Sequence, residues 1–292
     1  MGEIQFKSDY KENKADRNSF FELAKQTFGI DLASWYRSGF WNDRYVCYSF
    51  FENDKLVSNV SVSKMDIVIN GQKKRAIQIG TVMTHKDYRG QGFASKLMKR
   101  VMKDLIDRHD FIFLFSEERN AGFYEKLGFG RVYETVYSYK IENEPSPPLS
   151  HRKVNPFNES DMELIFNIYR ENQMKSSIFE VENGEHLLGL YARMAYSNNI
   201  YYFEEKEAIV IFQCENEITH VYGVFSKEIL DFHEIAGLFG SRGSDIVFHF
   251  TPPFQDIELT KQPFINNDYI LLVHPKKTYF PKQFSFPFLA HS

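Results

Sequence analysis

Residues 77–102 constrain the chain most: an apolar run leads into a turn of Arg89, Gly90, Gln91 and Gly92, and an amphipathic helix follows. Phe93, Leu97, Val101 and Leu105 recur every four residues, with Ala94, Met98, Met102 and Ile106 in the adjacent row, which is the apolar stripe of a half-buried helix. Ser95, Lys96, Lys99, Arg100 and Lys103 fall on the remaining, solvated face. A glycine turn that opens a helix gathers unpaired N–H groups and the positive end of the helix dipole at one point. Such a turn reads as an anion cradle, and its two glycines would let a diphosphate come close to the backbone.

Two common nucleotide motifs do not fit. Gly90, Gly92 and Ser95 approximate the dinucleotide pattern, but the polar-rich residues 84–90 separate the turn from its strand, and Asp110 precedes an apolar run instead of ending one. No lysine stands where a Walker-type phosphate loop needs it. The pattern Arg89-x-x-Gly92-x-Ala94, after an apolar strand and opening a helix, instead resembles the acetyl-CoA motif of the GNAT N-acetyltransferases. Residues 111–116 read as a buried strand behind it, and 120–129, containing FYEKLGF, look like the family's short helix that carries its tyrosine.

That resemblance implies an α/β (α+β) fold and acetyl-CoA as co-substrate; no His/Asp/Glu cluster has convincing metal spacing, so no metal is expected. Backbone groups of Val82, Met83 and Thr84 would hold the pantetheine arm. Arg89, Gly90, Gln91, Gly92, Phe93, Ala94 and Ser95 would hold the diphosphate, with Asn120 also on the cofactor side, and Tyr124 would protonate the departing thiolate. A phenol near pKa ~10 donates to a thiolate of conjugate pKa ~8.5 only slightly uphill. Glu117, Glu118, His85 or a water chain could take the amine's proton, and none is singled out.

The residues around this motif order themselves as a compact unit. Residues 19–28 read as a helix closed by Gly29, with a second helix over 32–39. In the family these helices line the acceptor site, so Trp35, Tyr36, Phe40 and Trp41 are either an acceptor wall or ordinary core. Residues 45–51, 56–69 and 75–83 read as an antiparallel meander with turns at Asn53-Asp54 and Asn70-Gly71. Ser61 and Ser63, alternating with Val60 and Val62, suggest a wet face there. Gly80 inside its strand marks a bulge or a close backbone approach. Asn120 is the expected N-cap of the short helix and Gly128 its terminator, and residues 131–141 are expected to close this sheet.

At 292 residues the chain suits two domains, and 43% hydrophobic residues with 29 phenylalanines supply two cores. The expected division is 1–144, a linker over 145–150 and a second domain over 151–292. A net charge of −4 argues against a nucleic-acid partner, and no apolar run suggests a membrane span or signal peptide. Cys47 and Cys214 are the only cysteines, so free thiols in a reducing cytoplasm are expected.

The order of elements restarts after the linker: helices over 160–172 and 184–197, strands over 200–205, 208–215 and 218–225, a helix over 228–240 and a strand over 245–251. No R-x-x-G-x-G/A follows the strand that should carry it. Two tandem GNAT-like domains, each a mixed, mostly antiparallel sheet flanked by helices and the second degenerate, are similar to the Eis-like acetyltransferases. Those enzymes continue into a sterol-carrier-like domain whose terminal carboxylate is their base. This sequence stops at Ser292, so neither that base nor their hexamer is carried over. The implied reaction is acetyl transfer to a small-molecule or peptide amine; a non-catalytic acyl-CoA sensor and an aminoacyl or long-acyl transferase are the alternatives.

Overall fold

A computed structural model describes residues 2–143, 145, 150–266 and 269–292. Apart from 145 and 150, the expected linker lies outside them. Among the described residues, eight strands form one sheet and seven another. The first runs Ile4–Ser8, Tyr45–Glu52, Lys55–Ile69, Gln72–Thr84, Phe111–Ser116, Ile270–His274, Gly130–Val132, with Phe179–Glu182 added against Lys55–Ile69. The second runs Thr260–Pro263, Thr135–Lys140, Asp245–Phe248, Ile218–Ser226, Ala208–Glu215, Ile200–Phe203, Arg152–Lys153. Each sheet is antiparallel except for one pair, Gln72–Thr84 with Phe111–Ser116 and Ile218–Ser226 with Asp245–Phe248.

Local chemistry explains the meander and its first helix. Asn53 and Asp54 have φ of 47° and 61°, and Asn70 and Gly71 47° and 74°, the left-handed pairs that match a two-residue turn to the strand twist. The helix Lys14–Phe28 begins earlier than its apolar pattern suggests, because the Asn13 side chain accepts the Ala15 and Asp16 N–H groups; Gly29, at φ 74°, ends it.

The helix Phe93–Leu105 crosses between the two parallel strands and buries Leu97, Met98, Val101 and Leu105. These pack with Ile77, Ile79, Ile112 and Leu114 on one face of the first sheet. The opposite face of the same strands carries Phe111 and Phe113, which meet Phe179, Phe284 and Phe286. Each such side chain removed from water contributes about 1.5–3 kcal/mol, and the second set ties the first sheet to residues near the end of the chain.

Several expectations need correction. Residues 131–141 do not close the first sheet: Gly130–Val132 pairs with Ile270–His274, while Thr135–Lys140 joins the second sheet. The break is made by distant groups, since Glu134 Oε1 accepts the Phe286 N–H at 2.7 Å and the Phe284 carbonyl accepts the Thr135 N–H, also at 2.7 Å. The division at 144 is thus crossed in both directions. The short helix spans Glu118–Glu125 with Glu117 at its N-cap, and Asn120 lies inside it, its N–H donating to Glu117 at 3.0 Å. The helix expected over 228–240 reduces to Phe232–Ile235 and a 3-10 turn, because Asp231 and Glu234 form a capping box that starts it late. Ser61 and Ser63 face no water: both are fully buried, with Ser58 and Asn59.

Candidate active site

The parallel ladder between Gln72–Thr84 and Phe111–Ser116 starts at Ala76 and Phe111 and stops at Ile79 and Leu114. Beyond that point, among the described residues, 80–84 pair only with Lys55–Ile69, so the two parallel strands part and one edge of 80–84 has no ladder partner there. Gly80 lies at the fork. The register shifts there between Asn59 and Ser61, and Thr81 takes a left-handed φ of 40°. A buried string of hydrogen bonds holds this bulge. Asn59 Nδ2 donates to the Thr81 carbonyl at 2.8 Å and to Ser61 Oγ at 2.9 Å; its Oδ1 accepts from Ser49 at 2.8 Å, and Tyr45 and Thr81 share a hydroxyl contact at 2.7 Å.

Next to the fork, Gly90 and Gly92 have φ of 76° and 78°, and Gly92 is the N-cap of Phe93–Leu105 with no side-chain cap. A Cβ at either glycine would meet nothing within 4 Å. The helix therefore presents uncapped N–H groups to open space, which fits a diphosphate. Arg89 Nε donates to the Thr84 carbonyl at 3.2 Å, joining the turn to the end of the splayed strand. Val82, Thr84 and the run from Arg89 to Ser95 so fall along one path. The Met83 side chain is buried in a core on the other side, which leaves only its backbone on that path.

Tyr124 shares an apolar cluster with Ile79, Val82, Leu97 and Leu114, on the cradle-helix side of the fork. Burial pushes its phenol up to about 12. Asn120 is exposed on the same helix. The candidate bases are tied up: Glu118 takes a two-point ion pair from Arg131 at 2.8 and 2.7 Å, Glu117 pairs with Arg119, and His85 lies 3.7 Å from Asp87.

The opposite side of the fork is occupied by residues that sequence reasoning passed over. A Cβ on Gly80 would stand 2.7 Å from the Ser292 carbonyl oxygen. With its amide oriented to satisfy both partners, Gln78 donates to the Ala290 carbonyl at 3.0 Å and accepts the Ser292 N–H at 2.9 Å. Ser63 donates to Ser292 Oγ at 2.9 Å. The only signal for this was the glycine in a strand, which announced a close approach without naming the visitor. Trp35, Phe40 and Trp41 are buried core, Trp35 Nε1 donating to the His186 carbonyl at 2.8 Å.

The second sheet repeats the fork. Its parallel pair stops at Val221 and Phe248, the neighbouring ladder shifts between Ile211 and Phe212, and Gly223 follows. There a Cβ would stand 2.8 Å from the Phe225 ring and 3.1 Å from Leu289. One segment, 284–292, thus closes against both forks, Leu289 at Gly223 and Ser292 at Gly80.

A wide open groove of about 1010 Å³, lined by Arg37, Phe40, Phe166, Arg170 and Arg193, shares no residue with the cradle, the fork or Tyr124.

Residues 11–132 match the family model of the acetyltransferase (GNAT) domain. Nearly the whole chain shares its fold with three solved structures. A probable N-acyltransferase from Enterococcus faecalis is 19% identical at a TM-score of 0.63, covering 94% of this chain and 72% of that one. A GCN5-related N-acetyltransferase from Kribbella flavida is 14% identical at 0.56, covering 93% and 70%. Eis1 from Mycobacterium abscessus is 13% identical at 0.55, covering 92% and 72%. No curated protein is matched by the sequence. With the cradle, the splayed strands and the family match on the same residues, residues 11–132 are a GNAT acetyltransferase domain, and the chain as a whole shares its fold with the three solved structures.

Proposed function

We propose that the chain moves an acetyl group from acetyl-CoA to a primary amine of a small molecule or peptide, by direct attack of the amine on the thioester. The observation that carries this reading is the fork at Gly80 beside the uncapped helix at Gly92. Bound acetyl-CoA would supply the activated acyl group. The N–H groups around Arg89, Gly90, Gln91, Gly92, Phe93, Ala94 and Ser95 would hold its diphosphate, and the unpaired backbone edge at Val82, Met83 and Thr84 its arm. Preorganised backbone donors there would also stabilise negative charge as it develops on the acyl oxygen.

Tyr124 would deliver the proton to the leaving sulfur. A phenol held at about 12 stays protonated at neutral pH. A thiolate in the same dry fork is raised as well, which keeps the transfer from becoming steeply uphill. Asn120 would sit at the cofactor's rim. The second half would shape the acceptor side and bind no cofactor, since no glycine turn follows its fork. Free thiols at Cys47 and Cys214 suit a reducing cytoplasm.

Incubation with acetyl-CoA and a panel of polyamines, aminoglycosides and peptides, followed by free-thiol release and product mass, tests the reading. Thiol release coupled to an acetylated amine is expected. Tight acetyl-CoA binding with no release for any amine would make the chain a sensor instead.

A further inference from the structure

Tyr124 stands on a helix that is weak by itself. Glu118–Glu125 is two turns long, contains Gly122, and has no side-chain cap at its N-terminal Glu117. Within it only Ala121 and Tyr124 are buried, with Phe123 packed beside them, so few side chains hold it to the sheet. Among the described residues no hydrogen bond reaches the Tyr124 hydroxyl, and burial alone raises its phenol. The place of that hydroxyl is therefore set by the helix that carries it.

Arg131 joins the two ends of this helix. Its Nη1 and Nη2 donate to the two carboxylate oxygens of Glu118, in the first turn, at 2.8 and 2.7 Å. Its Nε donates to Glu125 Oε1, at the last helical residue, at 2.9 Å. One rigid guanidinium plane thus makes three charge-assisted hydrogen bonds to carboxylates seven residues apart. A carboxylate at a helix C-terminus works against the helix dipole, and the guanidinium offsets this at Glu125.

Arg131 is itself held from elsewhere. It is the middle residue of Gly130–Val132, whose three residues pair with Val273, Leu272 and Leu271, and those pair in turn with Phe113, Leu114 and Phe115 on one wall of the fork. The ladder that continues from that wall therefore sets where the guanidinium stands, and the guanidinium sets the helix. With the Arg131 side chain about one-third exposed, its ion pairs add little to global stability. What three such bonds supply is geometry, and a misplacement of ~1 Å in a reacting group costs on the order of 10²-fold in rate.

Building on the reading of Tyr124 as proton donor, we propose that Arg131 is a positioning residue for the transfer: its bonds to Glu118 and Glu125 hold the short helix at the tilt that keeps the Tyr124 hydroxyl at the fork. Arg131→Met, Arg131→Lys, Tyr124→Phe and the double variant Tyr124→Phe with Arg131→Met, all in the full chain, test it with the amine of the panel that turns over fastest. Arg131→Met should lower kcat by roughly 10- to 100-fold, while acetyl-CoA affinity by calorimetry and the thermal melt stay close to the wild type. Arg131→Lys keeps the charge but not the planar donor set, and should lose most of the same activity. In the Tyr124→Phe background, removing Arg131 should cost less than about twofold more, because the hydroxyl it places is gone. Full activity in either Arg131 variant, or an undiminished loss in the Tyr124→Phe background, overturns the proposal.

A readout without turnover separates this from the role of Tyr124 itself. With tyrosine carrying ¹³C at Cζ, the Tyr124 line is assigned by its absence in Tyr124→Phe. In the wild type that phenol, held at about 12, should stay protonated at pH 10.5. In Arg131→Met it should be largely ionised there, as the freed helix lets it reach water and return toward ~10. A line that titrates alike in both proteins overturns the positioning. A shifted line together with full turnover in Tyr124→Phe would defeat the proton-donor reading alone and leave Arg131 holding the hydroxyl in place.

Discussion

Asn59 holds Thr81 in its left-handed conformation: the side-chain amide of one donates to the backbone carbonyl of the other at 2.8 Å, in a hydrogen-bond string whose Asn59, Ser49 and Ser61 are fully buried. The bulge turns the strand away from Phe111–Ser116 and so makes the fork. Asn59→Leu keeps the bulk but strands Ser49, Ser61 and the Thr81 carbonyl without their partner. Stability should fall by roughly 3 kcal/mol, and the KM for acetyl-CoA should rise in whatever folded protein remains. Denaturant titration and steady-state kinetics measure the two effects, and a melt like that of the wild type would show that the string does not hold the bulge.

Gly92 is one of two cradle positions, with Gly90, where the left-handed backbone disfavours a side chain. Its φ of 78° disfavours a β-branched residue, and the Cβ would project into the space the diphosphate needs. Gly92→Val is expected to weaken acetyl-CoA binding at least tenfold, about 1.4 kcal/mol. Calorimetry with a folded variant reads this directly; unchanged affinity would remove the diphosphate from this turn.

Tyr124→Phe keeps the buried ring and deletes the proton. Acetyl-CoA affinity should hold while turnover drops by roughly 10²–10⁴-fold. A donor whose thiolate leaves without help should suffer less. An equal loss with both donors would assign Tyr124 a positioning role.

Glu134 should make the protein's stability depend on pH. Its carboxyl is raised from 4.5 to about 7 in the folded state, so the fold holds the proton more tightly than the unfolded chain does. The contribution is full below pH 4.5 and is lost as pH rises through about 7. The gap corresponds to roughly 3 kcal/mol. Glu134→Gln, which can still accept the Phe286 N–H, should match the wild type near pH 4.5 and exceed its stability by up to that amount at pH 8. Parallel denaturant curves for the two proteins across this range would show instead that Glu134 ionises without penalty.

The sequence was most legible where structure is local. The glycine turn, the apolar stripe from Phe93 to Leu105 and the Asn70-Gly71 hairpin each follow from neighbours a few residues apart, and all appear where the pattern puts them. What stayed hidden is non-local. Ile270–His274 carries an ordinary apolar run, and nothing within it names Phe111–Ser116 as its partner. Thr135–Lys140 looks like a continuation of Gly130–Val132 until Phe284 and Phe286 arrive to separate them. The buried polar set of Asn59, Ser61 and Ser63 imitates a wet strand face, because alternation reports side but not what covers that side. Ser292 at Gly80 was invisible for the same reason.

The exchange of strands has a consequence for how the polypeptide is made. The strand between Phe111–Ser116 and Gly130–Val132 is Ile270–His274, so a ribosome that has released the first half of the chain has released a sheet whose last strand is cut off from the rest. Two hydrogen-bonding edges, one of them with phenylalanine at three of its six positions, must wait through the synthesis of well over a hundred further residues. During that interval the nascent chain has the exposed strand edges that recruit holding chaperones or pair with the wrong neighbour. Slowing translation across the second half should therefore lower the soluble yield of the whole protein, although every residue of the cradle has already left the tunnel.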